Sequence, residues 1–182
     1  MVRAELVELF IRKAIASGAE VDRFSTEREA ADFVVAFLKE KGIERIIASQ
    51  DSQLLFKDKK GVSFFEAPAS QDFLQAGAGL VMADYGVAET GTLVRLDEND
   101  KEKMTWTLPP LCLCLLGTER IVPSLEDLSE VFSKHLSRIE LPSPQVSLVT
   151  GPSRTADIEN ELSIGVHGPA CLKILVVEGK TR

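Results

Sequence analysis

The chain has 182 residues, of which 45% are hydrophobic, and its 28 acidic and 21 basic residues give a formal net charge of -7. This length and this hydrophobic content suffice for one packed domain and are short for two. The acidic balance argues against a nucleic-acid surface, which needs clustered Lys and Arg to replace the counterions of the phosphates. A small anion can still be bound, because one arginine and a few oriented amides are enough.

The apolar runs and the cysteines indicate the cellular compartment of the protein. Charged residues interrupt the N-terminal stretch at 1–17, which therefore lacks the apolar core of a signal peptide, and no run reaches the length of a transmembrane helix. Cys112, Cys114 and Cys171 form an odd set in an acidic chain, which is typical of a reducing compartment. We therefore expect a cytoplasmic protein.

The first half of the chain alternates helical and extended patterns. Apolar residues at helical spacing predict α-helices over residues 2–17 and 27–41. Thr26 and Glu29 have the spacing of a capping box, and Gly42 follows the second helix as a C-terminal cap. Short apolar runs predict strands at residues 43–49, 62–65 and 79–83. This alternation predicts βαβ units and a largely parallel sheet.

The second half continues the pattern. Residues 85–91 are predicted as a turn or short helix that leads into a strand at 92–96, and the charged run at 97–103 is predicted as a solvated loop. Ser124 and Asp127 open a predicted helix whose apolar stripe ends at His135 or Leu136. Further strands are predicted at residues 111–116, 146–149 and 174–177.

The motif AETGT, Ala88–Thr92, places a carboxylate, two hydroxyls and a glycine in five residues. Glu89 is a candidate nucleophile, general base or hydrogen-bond acceptor, and Gly91 would let a ligand approach the backbone closely. Thr90 and Thr92 are candidate ligand contacts. The alternative is a tight turn in which Glu89 is solvated and the threonines satisfy local amides.

The motif GPSRTADIE, residues 151–159, combines a strand-ending Gly-Pro pair with hydroxyls that can cap a helix. Ser153 or Thr155 would open that helix, its first-turn amides would bind an anion, and Arg154 would add a guanidinium fork. In the alternative, the helix is merely well capped, its carboxylates complement the helix dipole, and the arginine pairs with one of them or faces water. The ligand-binding candidates of this motif are Gly151, Ser153, Arg154, Thr155 and Asp157.

The motif GVHGP, residues 165–169, holds His167 between glycines ahead of a predicted strand. Its ring is a candidate for catalysis, and Gly168 is a candidate for ligand binding. Together with GPSRTADIE, this motif is predicted to lie where strand ends meet loops, which is where open α/β sheets place ligands.

Other polar residues receive structural interpretations. His135, on or beside an apolar helical stripe, is predicted to be a packed or surface residue. Cys112 and Cys114 point to one face of their strand and are predicted to be small buried residues; no metal site is predicted. The sequence contains no CxxC, GxGxxG or GxxxxGK[ST] pattern, so iron–sulfur, ordinary dinucleotide and P-loop binding lack support.

The order and spacing of AETGT, the Pro109-Pro110 step, GPSRTADIE and GVHGP resemble the LUD-domain family and, within it, the lactate utilization protein C group. The resemblance covers residues 78–182 and, in outline, the helices before them, so a single LUD domain is expected over residues 1–182. It implies an α/β fold of the NagB/RpiA/CoA-transferase type, a three-layer α/β/α sandwich with a mainly parallel sheet. Two departures are noted: an N-terminus expected to be shorter than in the family, and Leu111 and Cys112 where a histidine is expected.

The resemblance also implies a role in the oxidation of L-lactate to pyruvate, together with two iron–sulfur partner proteins. The clusters would lie on the partners, with no cofactor in this chain. This chain would then be a non-redox component that binds a small carboxylate or an anionic cofactor. The alternatives are a free-standing enzyme of the same fold that handles an acyl-CoA or a phosphosugar, with Glu89 as nucleophile or base, and a ligand-sensing module.

Overall fold

Five parallel strands form the central sheet of the protein. The computed structural model describes residues 2–56, 59, 64, 75–156, 162–164 and 168–179, with the backbone alone at 154–156 and 162–164. The strands of this sheet are β1 (Glu20–Phe24), β2 (Ile46–Ala48), β3 (Ala78–Met82), β6 (Leu111–Gly117) and β11 (Cys171–Val177). They lie in the order β1, β11, β6, β3, β2, and each pairs in parallel with its neighbour.

The middle strand, β6, is buried along its whole length. Its Leu113 pairs with Leu80 of β3 on one side and with Lys173 of β11 on the other. A parallel strand that is covered on both faces needs apolar side chains at every position. The continuous apolar run at 111–116 therefore predicted this strand correctly.

Helices cover both faces of the central sheet. They are α1 (Arg3–Ala16), α2 (Glu27–Glu40), α3 (Gln50–Leu55) and α4 (Asp100–Thr107). Leu113 shares one core cluster with Val34 of α2, whereas Cys112 shares the other with Phe10 of α1 and Trp106 of α4. The prediction of a three-layer α/β/α sandwich with a mainly parallel sheet is confirmed.

A second, smaller sheet packs beside the first. It consists of β4 (Tyr85–Val87), β5 (Thr92–Asp97), β7 (Ile121–Val122) and β8 (Gln145–Val149), in the order β7, β4, β5, β8. Strand β5 pairs antiparallel with both β4 and β8. The 3₁₀ segment Glu126–Leu128 and helix α5 (Ser129–Leu136) adjoin this sheet, a further 3₁₀ turn covers Thr118–Arg120, and β9 (Arg154–Ala156) pairs antiparallel with β10 (Leu162–Ile164).

Most predicted elements have their counterparts in the structure, with boundaries shifted by one to three residues. Half of the predicted capping box forms at α2: Thr26 Oγ1 accepts a hydrogen bond of 3.2 Å from Glu29 N, whereas the Glu29 carboxylate accepts from Ser25 N at 2.9 Å and not from Thr26 N. Strand β1 was not predicted, because its polar residues, such as Glu20, suit an edge strand with half-exposed side chains. The predicted strand at 62–65 lies outside the described residues except for Phe64, which forms an isolated parallel bridge with Ile46.

Three predictions were wrong. The segment predicted as a turn or short helix at 85–91 contains strand β4, because it pairs with β5 as the first half of a hairpin. The loop predicted at 97–103 contains the start of α4: Asn99 Oδ1 caps the helix by accepting from Glu102 N at 3.1 Å, and the fully buried Trp106 anchors it. The helix predicted from Ser153 or Thr155 is replaced by the extended strand β9.

The buried Arg95 joins the two sheets. On β5, its Nη1 donates to Met82 O at the end of β3 and lies 3.1 Å from Asp51 Oδ2 of α3. Its Nε lies 3.3 Å from Asp97 Oδ1, whose side chain is fully buried. Burial raises the pKa of Asp97 and also that of Asp84, while the charge of Arg95 acts in the opposite direction. The guanidinium thus offsets the charge of the fully buried Asp97 and of the half-buried Asp84.

We predict that Arg95→Met lowers the free energy of unfolding by about 3–5 kcal/mol at pH 7, since it leaves buried carboxylates unpaired. The raised pKa values mean that Asp84 and Asp97 hold protons more tightly in the folded chain than in the unfolded chain. Stability therefore falls as the pH rises from about 4 through the folded pKa values. The variant raises these pKa values further, so its defect should be smaller at pH 5 than at pH 7.

Urea unfolding at both pH values measures this difference. The control is Arg138→Met, because Arg138 pairs only with the exposed Glu98 and Glu140 among its described salt-bridge partners, and it should unfold like the wild type. If Arg95→Met lowers the free energy of unfolding equally at both pH values, the buried carboxylates are not the cause of the loss.

Candidate functional site

An open cavity of about 450 Å³ lies where β8 leads towards β9 and where the chain enters β11. Residues 148–153 and 168–169 form most of its described lining. Four of the lining residues carry hydroxyl groups: Ser17, Thr107, Thr150 and Ser153. A concave site with a few polar groups among apolar ones is the usual form of a small-molecule site.

The cavity lies beside the edge at which the parallel strands begin. Ser153 N donates to Pro169 O at 2.9 Å, and Cys171 N, at the start of β11, donates to Pro110 O at 3.0 Å, just before β6. The sequence analysis placed these motifs where strand ends meet loops. The strand that leads into the cavity segment, β8, belongs to the antiparallel second sheet and not to the parallel one.

A chain of three hydroxyl groups connects AETGT to the cavity. Thr90 Oγ1 lies 2.7 Å from Thr92 Oγ1, which lies 2.7 Å from Thr150 Oγ1. Thr92 is buried and does not belong to the described lining of the cavity, whereas Thr150 does. AETGT thus contacts the residue that directly precedes GPSRTADIE, and Ser153 of GPSRTADIE bonds to Pro169 of GVHGP.

Glu89 has a different position from the other candidates. Its exposed carboxylate accepts a hydrogen bond of 3.0 Å from Leu125 N, and its own N–H donates to Pro123 O at 3.1 Å. It thereby supports the start of the 3₁₀ segment before α5, where a negative charge is favourable. It does not belong to the described lining of the cavity. Its catalytic role remains a prediction.

Two of the candidate glycines are required by close packing against α1. Gly91 has φ +72°, and a Cβ there would lie 2.3 Å from Ala14 N. Gly151 has φ +74°, and a Cβ there would lie 2.2 Å from Ser17 O. Both residues occupy the left-handed region that side chains disfavour. Helix α1 thus fills the space that the sequence analysis assigned to a ligand at Gly91.

The remaining candidates are described to different extents. Gly168 lines the cavity, and a Cβ on it would lie 3.1 Å from Ser153 Cβ. Arg154 and Thr155 belong to β9, where only the backbone is described. Asp157 and His167 lie outside the described residues. The roles assigned to these side chains remain predictions.

The structural interpretations of His135 and the cysteines agree with their surroundings. His135 is buried, and its Nε2 lies 3.1 Å from Asp97 O. Cys112 and Cys114 are fully buried, and burial raises the pKa of Cys114 to about 12. A thiol with such a pKa is inert at neutral pH, so these two residues act as small packing groups.

The sequence analysis did not single out Thr150, Ser17 or Thr107. Thr150 could have been found from the pairing of β5 with β8, because Leu93 pairs with Val149 and the same register places Thr92 opposite Thr150. Ser17 directly follows α1 and Thr107 is the last residue of α4, and neither carries a local sequence signal. In the part of the chain that the structure describes, no group of three or more His, Cys, Asp or Glu residues could hold a metal ion. None of the described helices is long and apolar enough to cross a bilayer.

We predict that Gly91→Ala costs about 1–3 kcal/mol more of the unfolding free energy than Gly42→Ala does. Gly42 has a similar backbone, φ +64°, yet nothing lies within 4 Å of a Cβ added there. The two variants share the backbone strain, so the difference between their unfolding free energies measures the effect of the contact with α1. Urea unfolding of both variants measures it, and equal losses would show that α1 does not constrain position 91.

Comparisons with known proteins agree with the family resemblance. The chain is 37% identical to lactate utilization protein C of Halalkalibacterium halodurans over 107 residues, which are 58% of this chain and 46% of that relative. It is 28% identical to the uncharacterized protein YkgG of Escherichia coli over 165 residues, 85% of this chain and 71% of that protein. The chain thus spans less than half the length of the first of these relatives.

A solved structure supports the fold. The crystal structure of a DUF162 family protein from Deinococcus radiodurans has a TM-score of 0.71 with 20% identity, and the match covers 97% of this chain and 99% of that one. The family model of the LUD domain matches residues 7–177. The chain therefore belongs to the LUD domain family.

Proposed function

We propose that this protein is a non-redox component of an L-lactate utilization system and that it binds a small carboxylate or an anionic cofactor in the cavity described above. The observation that carries the proposal is a cavity lined by parts of GPSRTADIE and GVHGP, which the Ser153–Pro169 hydrogen bond of 2.9 Å joins, and whose residue Thr150 contacts Thr92 of AETGT at 2.7 Å. The relatives named lactate utilization protein C supply the metabolic context.

We assign the positive charge that an anion needs to Arg154. The predicted helix N-terminus at 153–155 does not exist, because β9 occupies that segment. Helices α1 and α4 instead end at the cavity, near Ser17 and Thr107, and a helix C-terminus carries a partial negative charge. Arg154 follows the cavity residue Ser153 directly in the chain. Its guanidinium is the group we assign to the carboxylate of the ligand.

We assign electron transfer to two iron–sulfur partner proteins. Lactate oxidation releases two electrons, which the clusters of these partners would accept. The burial of Cys112 and Cys114 supports this division, since neither thiol is available as a cluster ligand. The three cysteines are free thiols, which suits the cytoplasm as the compartment that we propose.

We predict that Arg154→Gln weakens the binding of L-lactate about 10- to 100-fold, the expected effect of losing one hydrogen bond to a charged group. Isothermal titration calorimetry with L-lactate measures the affinity. Arg28→Gln is the matched control, because Arg28 is an exposed residue of α2, on the opposite face of the central sheet from α1. Equal affinities of Arg154→Gln and the wild type would remove Arg154 from the site.

We predict that the tagged protein, purified from its native host grown on L-lactate, carries cysteine-rich iron–sulfur proteins with it. Mass spectrometry identifies the partners, and an iron assay of the eluate detects their clusters. The same purification from cells grown without lactate is the control. Recovery of an isolated, iron-free protein under both conditions would contradict the partner assignment.

A further inference from the structure

Two of the four hydroxyl groups in the cavity already donate their proton in a hydrogen bond. Ser17 Oγ donates to Lys13 O at 3.0 Å, and Thr107 Oγ1 donates to Lys103 O at 2.8 Å. A hydroxyl group has one proton and two lone pairs. Towards the cavity, both groups can therefore act only as hydrogen-bond acceptors.

The position of these acceptors strengthens their preference for a donor. Thr107 is the last residue of α4, and Ser17 is the C-cap of α1. The partial negative charge at each helix end disfavours a carboxylate or a carbonyl oxygen in contact with them and favours a group that brings a proton.

Thr150 takes the opposite role in one of the possible orders of its hydrogen bonds. Two hydrogen bonds join the three hydroxyl groups of Thr90, Thr92 and Thr150, so two of their three protons are used and one is left. When Thr90 donates to Thr92 and Thr92 donates to Thr150, the remaining proton is that of Thr150. Thr150 lines the cavity and can then donate this proton to an oxygen of the ligand.

We infer that the cavity selects hydroxy acids over the corresponding keto acids, with the ligand hydroxyl donating to Ser17 or Thr107 and the ligand carboxylate accepting from Thr150. This inference rests on the proposed function. L-Lactate carries both groups, whereas pyruvate replaces the donor by a carbonyl oxygen, which has no proton to give to Ser17 or Thr107. A site built to pair with a substrate hydroxyl rejects the analogue that lacks it, because its polar groups are left unpaired.

Shape cannot provide this discrimination. The cavity has a volume of about 450 Å³. A three-carbon acid needs roughly 100 Å³, if a water molecule with its share of about 30 Å³ sets the scale. Lactate and pyruvate would both enter, so the pattern of donors and acceptors has to distinguish them.

The test compares the affinities of L-lactate and pyruvate, by calorimetry or by ligand-observed NMR, for the wild type and four variants. The wild type should bind L-lactate at least about tenfold more tightly than pyruvate. The double variant Ser17→Ala/Thr107→Val should lose this preference by weakening the binding of L-lactate alone. Thr150→Val should weaken the binding of both acids by a similar factor, because both have the carboxylate.

Two further variants serve as controls. Thr105→Val removes a hydroxyl that donates to Lys101 O at 2.9 Å in the same helix but does not belong to the described cavity lining, so it should change neither affinity. Ser17→Ala/Thr107→Ser keeps the hydroxyl at 107 and should retain part of the preference.

Equal or tighter binding of pyruvate by the wild type would overturn the inference and leave the proposed function intact. The same holds if the double variant keeps its preference for L-lactate. Binding of neither acid would overturn the inference and the ligand assignment of the proposed function together.

Discussion

The arrangement of the two sheets depends on one buried cation. Arg95 connects β5 to the end of β3 through Met82 O and to α3 through Asp51. The same strand begins with Thr92, which meets Thr150 of the segment after β8. The cluster that fixes β5 against the central sheet therefore also fixes the hydroxyl groups that reach the cavity. A charge in the core is tolerated here because its carboxylate partners come from three different segments.

The location of the cavity changes its electrostatic character. At the carboxyl edge of a parallel sheet, helices begin, and their free amides attract anions. At the amino edge, helices end, and their carbonyl groups repel them. Because Ser17 and Thr107 mark two such helix ends, this part of the cavity wall is rich in acceptors, and an anionic ligand would need positive charge from a side chain.

The sequence predicted the features that local patterns control. The apolar run of β6 and the N-terminal cap of α2 each depend on residues that are close together in the sequence. The strand and the hydrogen bond to the cap were both predicted correctly. Helix α4 was missed because its charged first turn resembles a solvated loop, although Asn99 in that turn is its cap. The hydroxyl and acidic residues after Gly151 suit helix caps and extended segments alike, which explains the error at β9. The roles of Thr150 and Arg95 were not predicted, because their partners, such as Thr92 and Asp51, are distant in sequence.

The contact of Gly91 and Gly151 with α1 has a consequence for the dynamics of the protein. The last turn of α1 is held between these two backbone segments and leads into Ser17, so the helix end is itself a wall of the cavity. If a ligand binds in the cavity, its binding is thermodynamically linked to the docking of α1: a change that loosens the helix would weaken ligand binding, and ligand binding would stabilise the helix by the same free energy. The N-terminal helix would thus report, through the hydrogen exchange of its last amides, whether the cavity is filled.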